Sequence, residues 1–336
     1  MTSVRRHRRR ALRVIALLAG VASCLGYRGV EAALDAAPQQ PASDATAARL
    51  DTLEVRPNVF VITGAGGNIG VQVGEDGVVV VDAGTAASAP GVVAAIRRIT
   101  PKPIRYVVNT GPDVDHTGGN EELSKAGETL NREQAGLIAP AATILAFEGV
   151  LRHVSASALP AAGWPTETFH YARKYMYLNG EAIEVLHQPE AHSDSDVFVF
   201  LRRSDVVMAG DVLDTRQFPV IDVERGGGID GEVAALNRLA DLAVASVPIV
   251  SREAGTVVIP GHGRLCDQFD VIEYRDMVTI IRDRVRAALA AGQTLEQVKA
   301  ANPAKGYVGR YGNAGGAGTA GRFVEAVYRS LARDRR

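Results

Sequence analysis

The chain has 336 residues, of which 46% are hydrophobic, and a formal net charge of −1. Seven of its arginines lie in the first 32 residues, so residues 33–336 carry 30 basic and 37 acidic side chains, a net charge of −7. This acidic balance gives no electrostatic reason to bind nucleic acid or an anionic membrane, and a small-molecule substrate is the expected partner.

An arginine-rich leader precedes an apolar segment at residues 14–25 that is too short to span a bilayer and is typical of a secretory signal. We therefore expect residues 1–32 to be a signal peptide, with no integral membrane span in the mature protein. A periplasmic or secreted location follows from this prediction. Cys24 lies in a sequence that resembles a lipoprotein box, so a lipid anchor there is the alternative. After cleavage only Cys266 remains, and a metal site must be built from histidine and carboxylate side chains.

Residues 33–50 are rich in alanine and proline, lack apolar periodicity and are expected to form a flexible linker. The next segment opens with β-branched runs, and its Asp76-Gly77 pair is typical of a hairpin turn. Apolar residues at helical spacing then predict a helix at 89–99, before another apolar strand. The strands predicted in this half are 58–63, 69–73, 78–81 and 104–108.

The second half repeats this alternation, with predicted strands at 174–178, 182–187, 197–201 and 205–208 and a helix at 231–247. Two such halves allow an α/β sandwich of two sheets with helices outside. We predict that this domain covers residues 51–265. Residues 266–336 are predicted to be a C-terminal helical extension that packs on the core, with helical segments at 269–291, 295–298 and 322–331.

The strand at 104–108 leads into the sequence Asn-Thr-Gly-Pro-Asp-Val-Asp-His-Thr-Gly-Gly-Asn at residues 109–120. This run resembles the His-x-His-x-Asp-His signature of the metallo-β-lactamase superfamily. Gly111 stands at the first histidine position and Asp113 at the second, while Asp115 and His116 match the rest. The alternative is a helix N-cap at an aspartate with an incidental histidine.

Four further residues that follow predicted strands complete the resemblance in order: Asp82, His192, Asp211 and His262. The resemblance implies an αββα sandwich with two metal ions at one edge. One site would use Asp115, His116 and His262, with Asp211 as the bridge. The other would keep His192, Asp211 and Asp113, without the histidine missing at Gly111. Asp82 is expected to orient a ligand histidine.

Zinc is the expected metal for one or two divalent ions, and the carboxylate of Asp113 favours iron or manganese as alternatives. Two dications, three aspartates and a hydroxide sum to zero charge, which predicts a weaker Lewis acid than an all-histidine first site. The leading hypothesis is an exported hydrolase in which metal-bound hydroxide attacks a small ester, lactone, thioester or amide and the catalytic Asp115 orients it. An iron-dependent oxidoreductase and a catalytically decayed binding protein are the alternatives.

Overall fold

The computed structural model describes residues 49–130, 141–247, 255–312 and 318–333. All of them belong to one compact unit, Thr46–Arg336. The expected signal peptide at 1–32, the anchor residue Cys24 and nearly all of the expected linker at 33–50 lie outside the described residues.

The first sheet begins as an antiparallel meander and continues with parallel strands. Its strands lie in chain order: β1 (Asp51–Arg56), β2 (Val59–Thr63), β3 (Ile69–Gly74), β4 (Gly77–Val81), β5 (Ile104–Val108), β6 (Thr143–Phe147) and β7 (Glu167–Phe169). Helix α1 (Ala89–Ile99) connects β4 to β5, and α2 (Val114–Thr117), α3 (Asn120–Lys125) and α4 (Glu148–Ser155) follow the parallel strands. The parallel strands therefore direct their carboxyl ends to one edge of the sheet.

The second sheet has the order β12-β11-β10-β9-β8, and only the β11–β12 pair is parallel among its neighbours. Its strands are β8 (Arg173–Leu178), β9 (Glu181–Gln188), β10 (Asp196–Leu201), β11 (Val206–Met208) and β12 (Val257–Ile259). Because β11 and β12 run in the same direction, the loops that follow them, at Asp211 and at His262, lie side by side.

The period-two alternation of β10 shows how the layers form. Val197, Val199 and Leu201 pack between the two sheets, whereas Phe198 and Phe200 face the opposite side and pack under helices. The helices over the second sheet are α5 (Ile229–Leu242), α6 (Gln268–Ala290), α7 (Leu295–Ala301), α8 (Val308–Tyr311) and α9 (Ala320–Arg333). Helix α1 covers the other sheet, so the predicted αββα sandwich is confirmed.

The C-terminal helices share one apolar core with the second sheet. The ring of Phe323 on α9 stacks on Phe218 in the loop after β11, with 5.7 Å between centroids. The extension therefore forms an outer layer of the sandwich and braces the loop that follows Asp211.

None of the helices in the described parts of the chain is long and apolar enough to cross a membrane.

Several predicted boundaries were wrong for local reasons. Asn58 and Asp205 have positive φ values of 65° and 54°, so both are turn residues before β2 and β11 rather than strand residues. The helix predicted at 231–247 is α5, which ends at Leu242 because Ala243 adopts extended backbone. Strands β1, β6 and β7 were not predicted from the sequence, and the strand expected before His262, predicted without bounds, is β12.

Candidate metal centre

The candidate ligands lie in the loops that follow five strands at one edge of the sandwich and, for Asp115 and His116, in the short helix α2. Asp82 follows β4, the loop at 109–113 follows β5, and His192 lies between β9 and β10. Asp211 and His262 follow the adjacent parallel strands β11 and β12. The fold thus brings together residues that lie up to 180 positions apart in the sequence.

Four side chains form the first cluster, in which each residue offers one ligand atom and all of these atoms lie within 4.8 Å of one another: Asp115, His116, Asp211 and His262. His116 Nε2 lies 3.1 Å from Asp211 Oδ1, and His262 Nε2 lies 3.1 Å from Asp115 Oδ2 and 3.3 Å from Asp211 Oδ1. The two imidazole rings are nearly perpendicular, at 87°. Two nitrogen and two oxygen donors therefore converge on one point.

Asp211 is shared with a second cluster, which also contains Asp113 and His192. His192 Nε2 lies 2.7 Å from Asp113 Oδ2, and its Nδ1 lies 2.7 Å from the carbonyl oxygen of Val220. Since a carbonyl only accepts, Nδ1 carries the proton and a neutral His192 presents Nε2 to the cluster. This second cluster offers three ligands and leaves room for a further one.

The donor geometry fits divalent metal ions. Among the described residues, His116 Nε2 and Asp211 Oδ1 are buried without a hydrogen-bond partner, although they are only 3.1 Å apart. Two such atoms are directed at a common point rather than at each other, and buried polar atoms are rarely left unsatisfied without a function. Histidine nitrogen and carboxylate oxygen are ordinary ligands of zinc, iron and manganese.

Asp82 holds His116 in the orientation that this geometry needs. Its Oδ2 lies 2.8 Å from His116 Nδ1 and accepts a hydrogen bond from the Thr110 hydroxyl at 2.7 Å, while its Oδ1 accepts from the Thr110 amide at 2.7 Å. A carboxylate on Nδ1 fixes the tautomer with its lone pair on Nε2. Asp82 also has a positive φ of 66°, a conformation that is costly for aspartate and that is found at functional positions.

Arg225 is a contact of the site that sequence reasoning missed. Its guanidinium donates to Asp113 Oδ1 and, over 2.7 Å, to Asp222 Oδ2. The Asp222 amide in turn donates to the carbonyl of His192 at 2.8 Å. The predicted neutral charge sum omits both groups: the guanidinium adds one positive charge beside Asp113, and the carboxylate of Asp222 adds one negative charge. An arginine in a glycine-rich loop carries no local sequence signal for this role.

The electrostatics of the clusters favour bound cations. Burial alone would lower the pKa of His262, but Asp115 and Asp211 outweigh it and raise this pKa to about 9. Burial would raise the pKa of Asp113, whereas the contacts from His192 and Arg225 bring it down to about 2. The carboxylates thus stay ionised, and their negative charge makes the neighbouring imidazoles prefer a positive charge. A bound metal ion would supply the positive charge that this field favours.

Two buried acids behind the site were also missed. A Cβ atom added to Gly111 would lie 3.4 Å from Asp196 Oδ1. This oxygen has no hydrogen-bond partner among the described residues. Both carboxylate oxygens of Glu232 on α5 are likewise unpartnered within the described chain. Burial raises the pKa of Asp196 to about 6 and the pKa of Glu232 well above its ordinary value.

Other histidines and the cysteine stay outside both clusters. His187 stacks on Phe147 with 3.7 Å between ring centroids and contacts the carbonyl of Asp194. His153 pairs with the carboxylate of Asp194 at 2.7 Å. Burial raises the pKa of the Cys266 thiol to about 12, so it remains protonated at neutral pH.

The loop at 64–68 braces the site. The side chain of Asn68 donates to the carbonyls of Pro260 and Gly263, on either side of His262, at 2.9 and 3.0 Å. A Cβ on Gly261 would lie 2.6 Å from Asp211 Oδ1, so a side chain at that position would displace the shared ligand. Close packing against the ligands is therefore the observed role of a loop that looks unremarkable in the sequence.

The fold is similar to those of solved structures. The sec-alkylsulfatase Pisa1 from Pseudomonas sp. superposes with a TM-score of 0.59 at 16% identity, over 83% of this chain and 50% of its own. A metallo-β-lactamase from Pontibacter korlensis gives a TM-score of 0.53 at 17% identity, over 69% of this chain and 99% of its own. The DIM-1 metallo-β-lactamase gives a TM-score of 0.52 at 18% identity, over 69% of this chain and 97% of its own.

At these identities the likeness concerns the fold, and the chain spans half the length of the alkylsulfatase. Comparison with curated protein sequences finds no significant match. The sequence profile of the metallo-β-lactamase superfamily matches residues 62–262, which contain every candidate ligand. With the αββα sandwich and this match over more than half of its length, the chain belongs to the metallo-β-lactamase superfamily.

Proposed function

We propose that this protein is a metal-dependent hydrolase of small esters, lactones, thioesters or amides. The observation that carries the proposal is the pair of clusters joined at Asp211, with buried ligand atoms directed at common points. Superfamily membership supports it, because hydrolysis is the common chemistry of such sites.

Each cluster has a distinct part in the proposal. The four-residue cluster around His262 would hold one divalent ion with a full ligand set, and Asp113, His192 and Asp211 would hold the other with an open position. Bound divalent ions would supply Lewis acidity, which polarises the substrate and lowers the pKa of water. Zinc is the ion we propose first, with iron or manganese as alternatives.

The protein residues would position the reactants. Asp115 offers Oδ2 to the cluster, and its other oxygen would accept a hydrogen bond from the attacking water and orient it. Asp82 would keep His116 fixed, and Arg225 would keep Asp113 fixed. The cavity over the ligands has a volume of about 230 Å³, with Arg216 and Gln217 on its wall, so the group undergoing hydrolysis must be small.

The test is a substrate panel assayed with metal-loaded protein. It includes lactones, thioesters and esters, together with a β-lactam and a secondary alkyl sulfate, because the structural neighbours are named for those activities. We expect hydrolysis of at least one class, and its loss in Asp115→Asn and His262→Ala. His170→Ala is the matched control, since His170 is exposed and lies outside both clusters. Fully metal-loaded protein that hydrolyses no member of the panel would contradict the proposal.

An iron-dependent oxidoreductase is the second candidate, and the carboxylate of Asp113 is the observation that favours it. Its contact with Arg225 weakens this argument, because the guanidinium shares the negative charge that would stabilise a more highly charged ion. Bound iron that changes oxidation state with a substrate would favour this candidate. A catalytically decayed binding protein would instead bind ligand without turnover.

We also propose that residues 1–32 direct export to the periplasm or the medium. The arginine-rich leader and the apolar segment that follows support this. Expression of the full chain, followed by cell fractionation and N-terminal sequencing, tests it. An N-terminus at Ala33 is expected; a lipidated Cys24 would replace simple cleavage by the lipid-anchored alternative, and an uncleaved cytoplasmic chain would contradict export.

A further inference from the structure

A second cavity lies beside the metal centre, with a volume of about 530 Å³. Six of the residues that line it present mostly apolar atoms: Ala86, Pro112, Val114, Ala158, Leu159 and Pro160. The side chain of Val114 is 68% exposed here, although it lies between two candidate ligands in the sequence. An exposed apolar surface at such a position is unusual for a soluble domain unless something covers it.

This cavity borders the metal centre. Asp113 lines both the apolar cavity and the smaller cavity over the ligands. Arg225 also lines the apolar cavity, but its guanidinium is paired with Asp113 and Asp222. The guanidinium of Arg225 is therefore already paired within the protein, and it makes no demand for an anionic group from an occupant.

We propose that the apolar cavity binds the straight alkyl or acyl chain of the substrate whose polar, hydrolysable end lies at the metal centre. This inference rests on the proposed function and narrows its substrate class to amphiphilic esters or amides. The volume falls within the range of small-molecule pockets, and a mostly apolar wall that meets the metal centre at Asp113 matches a molecule with an apolar chain and one polar end. A flexible carbon chain carries no polar atoms, so its burial in such a cavity leaves no polar atom of the chain without a hydrogen-bond partner.

The test is the affinity for straight-chain carboxylates from butanoate to octanoate, measured by titration calorimetry. Burial of each methylene group should lower Kd about fourfold until the cavity is filled. Removal of metal by chelation should weaken binding of the whole series without changing this dependence on chain length. Equal affinity for all chain lengths would overturn the inference.

Two variants that fill the apolar cavity, with a matched control, show whether the dependence of affinity on chain length arises there. Ala86→Phe and Ala158→Phe place a ring in the cavity from exposed positions, so the folded core is not disturbed. Both should abolish the chain-length dependence and leave metal content unchanged. Ala87→Phe, at the neighbouring exposed alanine that does not line the cavity, should behave like the parent. Unchanged chain-length dependence in both filling variants would place the chain elsewhere and overturn the inference.

Hydrolysis assays distinguish this inference from the proposed function. Rates that are equal for short and long acyl esters, as kcat/KM, would overturn the inference and leave a metallo-hydrolase standing. Chain-length-dependent binding that the filling variants abolish, without hydrolysis of any ester or amide, would overturn the proposed function and leave the cavity as an apolar chain site.

Discussion

Arg225 donates a hydrogen bond to Asp113, a contact that spans 112 positions of the sequence. It occupies one carboxylate oxygen of Asp113 and leaves the other facing His192. The aspartate at this position thus keeps one oxygen toward the cluster, while the guanidinium of Arg225 holds the other.

Arg225→Ala should weaken metal binding at the cluster of Asp113 and His192. Loss of a partner that orients a ligand costs about 10- to 100-fold in metal affinity. A competition titration with a chromophoric chelator measures it, and Arg225→Lys should recover part of the loss. Arg286→Ala, which removes a surface ion pair with Asp230, is the control and should bind metal like the parent. Parent-like metal affinity in Arg225→Ala would contradict this role.

Asp82→Asn should weaken the other cluster, because the amide holds the Nδ1 of His116 less firmly. We again expect a loss of about 10- to 100-fold in metal affinity. Asp205→Asn is a closely matched control: Asp205 also has a positive φ and accepts from a threonine hydroxyl, but it lies away from the metal centre. An equal loss of metal affinity in both variants would mean that the substitutions act by disturbing the fold and not through the orientation of His116.

Metal-free protein should lose stability as the pH rises from neutrality to about 9. The pKa of His262 is raised to about 9 by Asp115 and Asp211, against the opposing effect of burial, so the folded state binds a proton that the unfolded state releases near pH 6.5. This stabilisation is complete below pH 6.5 and disappears above about 9, with a magnitude of roughly 1–3 kcal/mol.

Urea unfolding of chelated protein at several pH values measures this dependence, and His262→Gln should flatten it. Saturation with metal should remove it as well, since metal binding requires neutral histidines and is favoured as the pH rises. A free energy of unfolding that increases with pH over this range in chelated protein would show that the histidines are not the dominant groups.

Phe323→Ala should lower the free energy of unfolding by about 3–5 kcal/mol, since a buried ring that stacks on Phe218 is removed from the core. Phe269→Ala on α6 is the control: Phe269 is 60% exposed and its removal should cost little. Equal unfolding midpoints for the two variants would mean that the C-terminal extension folds independently of the sandwich.

The parts of the fold that could be predicted are those with local signals. The hairpin at Asp76-Gly77 and helix α1 follow from turn chemistry and apolar spacing. Strand β7 was missed because its three residues are too few to show a period and its place depends on pairing with β6. The end of α5 at Leu242 depends on the backbone at Ala243, where the apolar pattern simply continues.

The candidate ligands could be predicted because they form an ordered pattern that resembles a known superfamily. Arg225 and Asn68 could not, because each acts through a contact with a residue far away in the sequence, and the burial of Glu232 depends on how α5 packs in the fold. An arginine, an asparagine and a glutamate are ordinary in loops and on helix surfaces, and only the folded arrangement shows that they are buried or paired at the site.

The most direct test of the central claim is the metal content of protein purified without chelators, measured by elemental mass spectrometry. Wild-type protein should contain one divalent ion for each of the two clusters. His262→Ala should lose the ion held with Asp115 and His116, while His170→Ala should match the wild type. Absence of stoichiometric metal from wild-type protein, even after incubation with zinc, iron or manganese, would contradict the claim that these residues form a metal centre.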